Sequence, residues 1–114
     1  MKIAVPSLGD SAKSVISDKL GRCNYIITYD TESKKYFAIS NPGALMRDGS
    51  GLKAAEVVIN TGANVLLSLE VGVKSYSALV KAHVDVHLLK SKSTVKVAVV
   101  KFLKKLGTKV VRSD

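Results

Sequence analysis

Hydrophobic patterning predicts strands in the first part of the chain. Residues 2–6 alternate in polarity and stop at Pro6, which predicts a first strand. The segments 25–29 and 36–39 are rich in β-branched and aromatic residues, and the polar segment 30–35 between them is short enough for a hairpin. We therefore expect three strands that are neighbours in sequence order, the last two being antiparallel.

From residue 50 the hydrophobic period changes from two to about 3.6 residues, which is typical of a helix. The first helical pattern ends at Gly62, where a left-handed C-terminal cap is expected. The following segment, 64–69, is almost entirely apolar, and this pattern is typical of a strand covered on both faces. We therefore predict that Val65 to Leu69 forms a central strand of the sheet.

The remaining part of the chain predicts two more helices and one strand. Residues 74–82 form a second helical pattern that ends at His83, a residue type that tolerates the left-handed region better than most. Alternation over 84–89 predicts a fifth strand. A third helix is predicted to begin at a Ser or Thr cap at 93–94 and to stop at Gly107.

The element order βββαβαβα predicts one α/β domain over residues 1–114. Helix-linked parallel strands cross over right-handedly, so the second half should add parallel strands to the antiparallel front half. This gives a three-layer mixed five-stranded sheet with helices on both faces. The order resembles ribonuclease H folds, whose two-metal site needs several carboxylates. Neither 2–6 nor 65–69 contains an acidic residue, which excludes a nuclease.

Composition narrows the class of protein. The chain has 114 residues, of which 46% are hydrophobic, so one domain can bury a core without metal or disulfides. The single cysteine, Cys23, excludes an intrachain disulfide and cannot alone form a four-ligand zinc site. We therefore expect a reducing, cytoplasmic location. No apolar run reaches the roughly 20 residues of a spanning helix, so no membrane association is expected.

The formal net charge of +9 favours an anionic partner. Much of this charge lies in the last helix, where Lys101, Lys104 and Lys105 are expected to face solvent. Aromatic residues are few, and no groove-reading motif accompanies the lysines. We therefore expect weak, non-specific binding of nucleic acid at most, with a basic interaction or nucleic-acid-associated domain as an alternative function.

Several glycine-containing segments are expected at one edge of this sheet. Ligands of such sheets gather at the carboxyl ends of the parallel strands, where helices present free N–H groups. Segments 7–10, 69–73 and 90–93 should converge there, together with 49–51 at the start of the first helix. These positions can bind an anion, or the glycines can serve only the backbone geometry of turns.

Residues 49–54 read Gly-Ser-Gly-Leu-Lys-Ala and match the G-x-G-x-x-A dinucleotide fingerprint. Glu70 follows near the spacing expected of a ribose-binding acid. The fingerprint must follow a strand directly, whereas here the loop 41–48 precedes it. A binding module for a phosphorylated small molecule or nucleotide is therefore kept as the alternative function.

Short motifs over roughly residues 2–106 occur in an order and spacing that a known family shares. They are Lys2-Ile3-Ala4-Val5-Pro6, Val15-Ile16-Ser17, Leu20-Gly21-Arg22-Cys23, Tyr25-Ile26-Ile27-Thr28-Tyr29-Asp30, Asn41-Pro42, Gly49-Ser50-Gly51, Gly62-Ala63-Asn64-Val65, Gly72 and Thr94-Val95. In this combination the chain resembles the dinitrogenase iron-molybdenum cofactor biosynthesis proteins, small nitrogenase accessory factors that carry or store metal–sulfur cofactor precursors.

The resemblance implies a ribonuclease H-like fold without nuclease activity. It also implies a non-enzymatic accessory or carrier role for an iron-molybdenum or related metal–sulfur cluster, which the purified protein need not contain. Cofactor-biosynthesis proteins are the implied partners, and we expect a monomer or a weak homodimer. Where many family members have histidines, this chain has Lys19 and, before the helix-opening glycines, Asp48.

The predicted cofactor site consists of Arg22, Cys23, Gly49, Ser50, Gly51 and Gly72. Because metal–sulfide clusters are anionic, helix N-termini and nearby cations would hold one there. Cys23 is the predicted metal ligand, since it is the only soft ligand of the set. The alternative interpretation is that Cys23 is a small residue at the start of a buried strand. Glu70, beside Gly72, adds an unfavourable negative charge.

Overall fold

Five strands form one mixed sheet in the computed structural model, which describes residues 1–112 and the side chains of residues 1–107. They are β1 (Lys2–Ser7), β2 (Tyr25–Asp30), β3 (Lys35–Ser40), β4 (Val65–Ser68) and β5 (Asp85–Leu88). Their order across the sheet is β3-β2-β1-β4-β5. β2 is antiparallel to both β1 and β3, whereas β4 is parallel to both β1 and β5. The predicted junction of an antiparallel front half with a parallel second half is confirmed.

β4 lies inside the sheet, and all four of its residues are buried. The strand predicted over 65–69 is thus present over Val65–Ser68 and is covered on both faces, but it lies one place from the centre of the sheet. The middle position belongs to β1, because the hairpin of β2 and β3 extends the sheet on the other side of that strand. β1 is correspondingly buried over Ile3–Ser7.

Three helices cover the sheet within this part of the chain: α1 (Ser50–Asn60), α2 (Val73–Lys81) and α3 (Val95–Arg112). α1 and α2 pack with Ala4 and Leu66 in one hydrophobic cluster, whereas α3 packs with Ile3, Val5 and Leu67 in the other. Neighbouring strand residues thus point into opposite clusters, as the two-residue period of a strand requires. The three layers place α1 and α2 on one face and α3 on the other.

The predicted ends of α1 and α2 are confirmed in their backbone geometry. Gly62, which follows α1, has φ of 78°, and His83, which follows α2, has φ of 63°. Both residues lie in the left-handed region that ends a helix and reverses the chain. A short 3-10 turn, Leu20–Arg22, precedes β2.

α3 continues through Gly107 to Arg112, so the predicted stop at Gly107 is wrong. An isolated glycine inside a helix costs only about 1 kcal/mol relative to alanine, and it ends a helix only where the backbone turns left-handed. Gly107 keeps a negative φ and leaves α3 uninterrupted. Lys101, Lys104 and Lys105 are exposed, as predicted. Within the described residues, α3 and the other helices lack the length and apolarity needed to cross a membrane.

Candidate functional site

Several loops and strand ends that could form a site lie together at one edge of the sheet. Ser7, at the end of β1, pairs with Tyr25 at the start of β2, and Tyr25 pairs with Ser40 at the end of β3. Because β4 is parallel to β1, its carboxyl end points to the same edge. The turn before β2 and the segments that follow β3 and β4 therefore meet there.

A pocket of about 280 Å³ opens at this edge, next to α1 and α2. Three parts of the backbone form its wall: the 3-10 turn before β2, the first turn of α1, and the segment from the end of β4 into α2. The lining residues are Lys19, Leu20, Gly21, Arg22, Ser50, Gly51, Glu70, Gly72 and Ser75. The pocket is thus built where two helices begin.

Two glycines allow these backbone segments to approach one another. A Cβ atom on Gly21 would lie 2.7 Å from Ser50 Oγ and 2.8 Å from the Gly51 nitrogen. A Cβ atom on Gly51 would lie 2.7 Å from Ser75 Oγ. Gly72 is different, since a Cβ atom there would have no neighbour within 4 Å. Gly21 and Gly51 therefore serve close packing around the pocket, whereas Gly72 leaves it open.

The N-termini of α1 and α2 carry backbone N–H groups that the helices do not use. The first intrahelical bonds run from Lys53 to the Gly49 carbonyl and from Tyr76 to the Gly72 carbonyl. Neither helix has a side-chain cap hydrogen bond or an acidic residue in its first turn. The N–H groups without an intrahelical acceptor belong to Ser50, Gly51, Leu52, Val73, Lys74 and Ser75. The positive ends of both helix dipoles are thus free to stabilise negative charge.

Two cations and one carboxylate line the pocket. Lys19 and Arg22 come from the turn before β2, and Glu70 follows β4. All three residues are exposed, so solvent screens them in the free protein. Together with the two helix N-termini, the lysine and the arginine give the pocket a positive electrostatic environment, which Glu70 partly opposes.

Arg22 connects the pocket to the β3–α1 loop (residues 41–49). Its Nη1 atom donates hydrogen bonds to the carbonyls of Met46 at 2.7 Å and Ala44 at 3.2 Å. The loop begins at Asn41, which is buried, and ends at Gly49, whose φ is 76°. The guanidinium is therefore held at the pocket wall by a segment that does not itself line the pocket.

Cys23 lies outside the pocket, in the hydrophobic cluster beneath α1 and α2, with no exposed surface. The Asn41 side-chain amide donates to the Cys23 carbonyl at 2.8 Å and lies 3.4 Å from its Sγ atom. Burial raises the pKa of the Cys23 thiol from 9.0 to about 11, which opposes the thiolate that a metal ligand needs. This placement matches the alternative of a small buried residue and gives no support to Cys23 as a metal ligand.

Four of the six residues predicted for the cofactor site line the pocket: Arg22, Ser50, Gly51 and Gly72. Gly49 immediately precedes Ser50 and is the left-handed N-cap residue of α1. The segments 7–10 and 90–93, also expected at this edge, contribute no lining residue. Within the described residues, no group of three or more His, Cys, Asp or Glu side chains is arranged to bind a metal ion.

Sequence reasoning missed four lining residues as members of the site, Lys19, Leu20, Gly21 and Ser75, and it named Glu70 only as an opposing charge. Gly21 stands beside the predicted Arg22, and Lys19 precedes it by three residues, so their nearness in sequence was a usable signal. No sequence signal pointed to Ser75, because its place opposite Gly51 depends on how α2 packs against α1.

The family model described as dinitrogenase iron-molybdenum cofactor matches residues 1–105. The chain belongs to this family. The resemblance inferred from the short motifs is confirmed. A comparison with functionally curated proteins gave no match.

Solved structures are similar over most of the chain. The apo form of the orange protein from Desulfovibrio gigas is 30% identical, with a TM-score of 0.86 over 91% of this chain and 88% of that one. A Thermotoga protein provisionally described as NifB, of the DUF35 family, is 31% identical, with a TM-score of 0.79 over 90% and 87%. A Methanocaldococcus jannaschii protein provisionally described as a dinitrogenase is 16% identical, with a TM-score of 0.58 over 82% and 79%, and shows the fold alone.

Proposed function

We propose that this protein is a non-enzymatic accessory factor that carries an anionic metal–sulfur cofactor, or a precursor of one, in the pocket at the sheet edge. One observation carries the proposal: two uncapped helix N-termini meet Lys19 and Arg22 in a single pocket. Helix N-termini and cations are the groups that stabilise a multiply charged anion. Membership of the dinitrogenase iron-molybdenum cofactor family gives the class of cargo.

The proposed contacts are hydrogen bonds and charge, without a thiolate ligand. Backbone N–H groups of Ser50 and Gly51 and the Ser75 hydroxyl are donors at the pocket wall, and Lys19 and Arg22 supply positive charge. The buried Cys23 contributes to the core beneath them. Such contacts hold a preassembled cluster reversibly, which is what a protein that passes its cargo onward requires.

The composition of the pocket supports a carrier rather than a catalyst. Among the residues described, its lining contains no histidine or cysteine, and Glu70 is its one carboxylate. Two-metal chemistry needs several carboxylates, and histidine is the residue that most often serves as a general acid or base. The strand order and the antiparallel β2 support the finer description of the fold as ribonuclease H-like, with a nuclease's carboxylates missing from β1 and β4.

We further propose that the cargo is exchanged with cofactor-biosynthesis proteins in the cytoplasm. Metal–sulfide clusters need a reducing compartment, and an unpaired cysteine fits one. Because the pocket is open at the edge of the sheet, a partner can reach its contents without unfolding of the core.

Anaerobic reconstitution tests the proposal. The protein is incubated with ferrous iron, sulfide and molybdate, separated from free ions, and analysed for iron and molybdenum. We expect the Lys19→Gln/Arg22→Gln double variant to retain about tenfold less metal, since charge-assisted contacts are lost. The matched control is Lys101→Gln/Lys105→Gln, which removes the same charge from α3 and should load like the unmodified protein. Equal loading of both double variants would refute the pocket as the binding site.

A further inference from the structure

We infer that the β3–α1 loop positions the anion-binding donor of the pocket through Arg22, so that binding of an anion and order of the loop are coupled. The inference rests on the proposed function and deepens it. It assigns a role to a loop that lies outside the pocket. The inference rests on the position of Arg22. In a single side-chain conformation, Arg22 both lines the pocket and hydrogen-bonds to the loop.

The guanidinium has donors left for a ligand. Both loop carbonyls, those of Ala44 and Met46, are bound by Nη1 alone. Within the described part of the chain, Nη2 and Nε of Arg22 make no hydrogen bond to protein. Because the five N–H groups of a guanidinium are fixed in one plane, tying one side to the loop sets the direction of the others. Arg22 can therefore bridge the loop and an anion without breaking either contact.

The middle of the β3–α1 loop has few other side-chain contacts that fix it to the rest of the protein. Its start is anchored by Asn41, whose Oδ1 atom accepts a hydrogen bond from the Gly43 nitrogen at 3.3 Å. Its end is the left-handed Gly49. Between them, Leu45 is 97% exposed and Met46 is 41% exposed, so apolar packing contributes little there. Apart from the backbone hydrogen bonds of its own turns, this part of the loop is tied to the rest of the protein through the Arg22 contacts.

Thermodynamic linkage then requires the coupling to act in both directions. A loop that holds the guanidinium in place lowers the cost of ordering Arg22 when an anion binds. An anion that fixes the guanidinium must, by the same free energy, stabilise the loop. Lys19 offers a matched comparison, because it also lines the pocket but, within the described residues, makes no hydrogen bond or ion pair with the β3–α1 loop.

Amide hydrogen exchange at Ala44 and Met46 tests the inference in the full chain. In the free protein both amides donate to carbonyls of the loop's own turns, so their exchange reports on loop order. We expect Arg22→Gln to speed this exchange about fivefold, the effect of losing about 1 kcal/mol of hydrogen bonding. Lys19→Gln should leave it unchanged. Unchanged exchange in the Arg22→Gln protein would overturn the inference.

Addition of inorganic molybdate tests the coupling itself, with binding followed by calorimetry on the same samples. We expect saturating molybdate to slow exchange at Ala44 and Met46 in the unmodified and Lys19→Gln proteins, and to have no such effect in Arg22→Gln. Arg22→Lys keeps the charge, but its three donors share one nitrogen and cannot reproduce the separate, coplanar positions of Nη1 and Nη2. It should therefore exchange like Arg22→Gln, and exchange like the unmodified protein would contradict the bridging role.

The outcomes separate this inference from the proposed function. Uptake of an iron–molybdenum–sulfur cluster with no change in loop exchange overturns the coupling and leaves the carrier role intact. If molybdate does not bind, the cluster-loaded protein provides the same comparison of exchange rates. If the protein neither binds molybdate nor loads a cluster, both proposals are overturned. This holds even if the exchange data show that Arg22 orders the loop in the free protein.

Discussion

Gly51 of α1 lies so close to Ser75 of α2 that a Cβ atom on the glycine would be 2.7 Å from the serine Oγ. Ser75 is itself buried, so its hydroxyl can move away only toward the pocket that it lines. This contact sets the distance between the two helix N-termini that face the pocket. The geometry of the site therefore depends on two small residues that are far apart in sequence.

Gly51→Ala is expected to lower the free energy of unfolding by about 1 kcal/mol, because the new methyl group overlaps the Ser75 hydroxyl. Removing that hydroxyl should restore the loss, so Gly51→Ala combined with Ser75→Ala should be close to Ser75→Ala alone. Urea unfolding of the two single variants and the double variant measures this coupling.

Gly72→Ala is the control for this cycle, since a Cβ atom there meets nothing within 4 Å and the backbone φ is −68°. We expect no loss of stability in that variant. Additive effects of Gly51→Ala and Ser75→Ala would show that the helices do not make the contact described.

Local capping chemistry was predictable from the sequence, and packing between distant elements was not. Gly62 and His83 were identified as left-handed residues because the tendency to end a helix lies in the residue and its neighbours. The burial of β4 is predicted by its almost entirely apolar sequence. Ser75 could not be found in this way, because its partner Gly51 is brought to it only by the packing of α1 on α2.

The prediction for Gly107 is wrong, and the structure gives no support to the one for Cys23. Gly107 was expected to stop α3, but a glycine cap needs a left-handed backbone and the helix continues instead. Cys23 is predicted at the site as the only soft ligand of the set, yet it follows the 3-10 turn as the residue that caps it and lies in the core. Arg22 is exposed and Cys23 is buried. The hydrogen bond from Asn41 that holds Cys23 comes from beyond the hairpin, so adjacency in sequence gave no signal of it.

The buried Cys23 thiol predicts a loss of stability at alkaline pH. Its pKa in the folded protein is raised by burial from 9.0 to about 11, so the folded state keeps its proton where the unfolded state has lost it. Stability should be unaffected by this group below pH 9 and should fall between pH 9 and about pH 11. The expected slope approaches about 1 kcal/mol per pH unit.

Urea unfolding over this pH range measures the effect, with Cys23→Ala as the reference because tyrosines and lysines titrate in both proteins. The difference in unfolding free energy between the two proteins should shrink as the pH rises above 9. A difference that stays constant would mean that the thiol is not buried as described. Cys23→Ala should also load metal as well as the unmodified protein, relative to folded protein.

Glu70→Gln is expected to strengthen binding of molybdate by up to about fivefold, because it removes the negative charge that opposes an anion in the pocket. Titration calorimetry at low ionic strength gives the dissociation constants. Glu56→Gln serves as the control, since Glu56 pairs with Lys53 at 3.7 Å and does not line the pocket. Equal effects of both variants would indicate a general change in net charge rather than a local one.

The exposed lysines of α3 predict weak and non-specific binding to nucleic acid. Neutralised phosphates release counterions, so affinity should fall with salt at a log–log slope of about 0.9 per phosphate contact. We expect binding in fluorescence anisotropy to disappear near physiological ionic strength and to weaken further in Lys101→Gln/Lys105→Gln. Tight, sequence-selective binding that survives physiological salt would make α3 the functional surface instead of the pocket.

The most direct test of the carrier role is to locate the metal in a crystal of the reconstituted protein by anomalous diffraction at the iron and molybdenum edges. The predicted result is a peak in the pocket between the N-termini of α1 and α2, bordered by Arg22, Gly51 and Ser75. A peak at Cys23, or one bound only to the lysines of α3, would contradict the account.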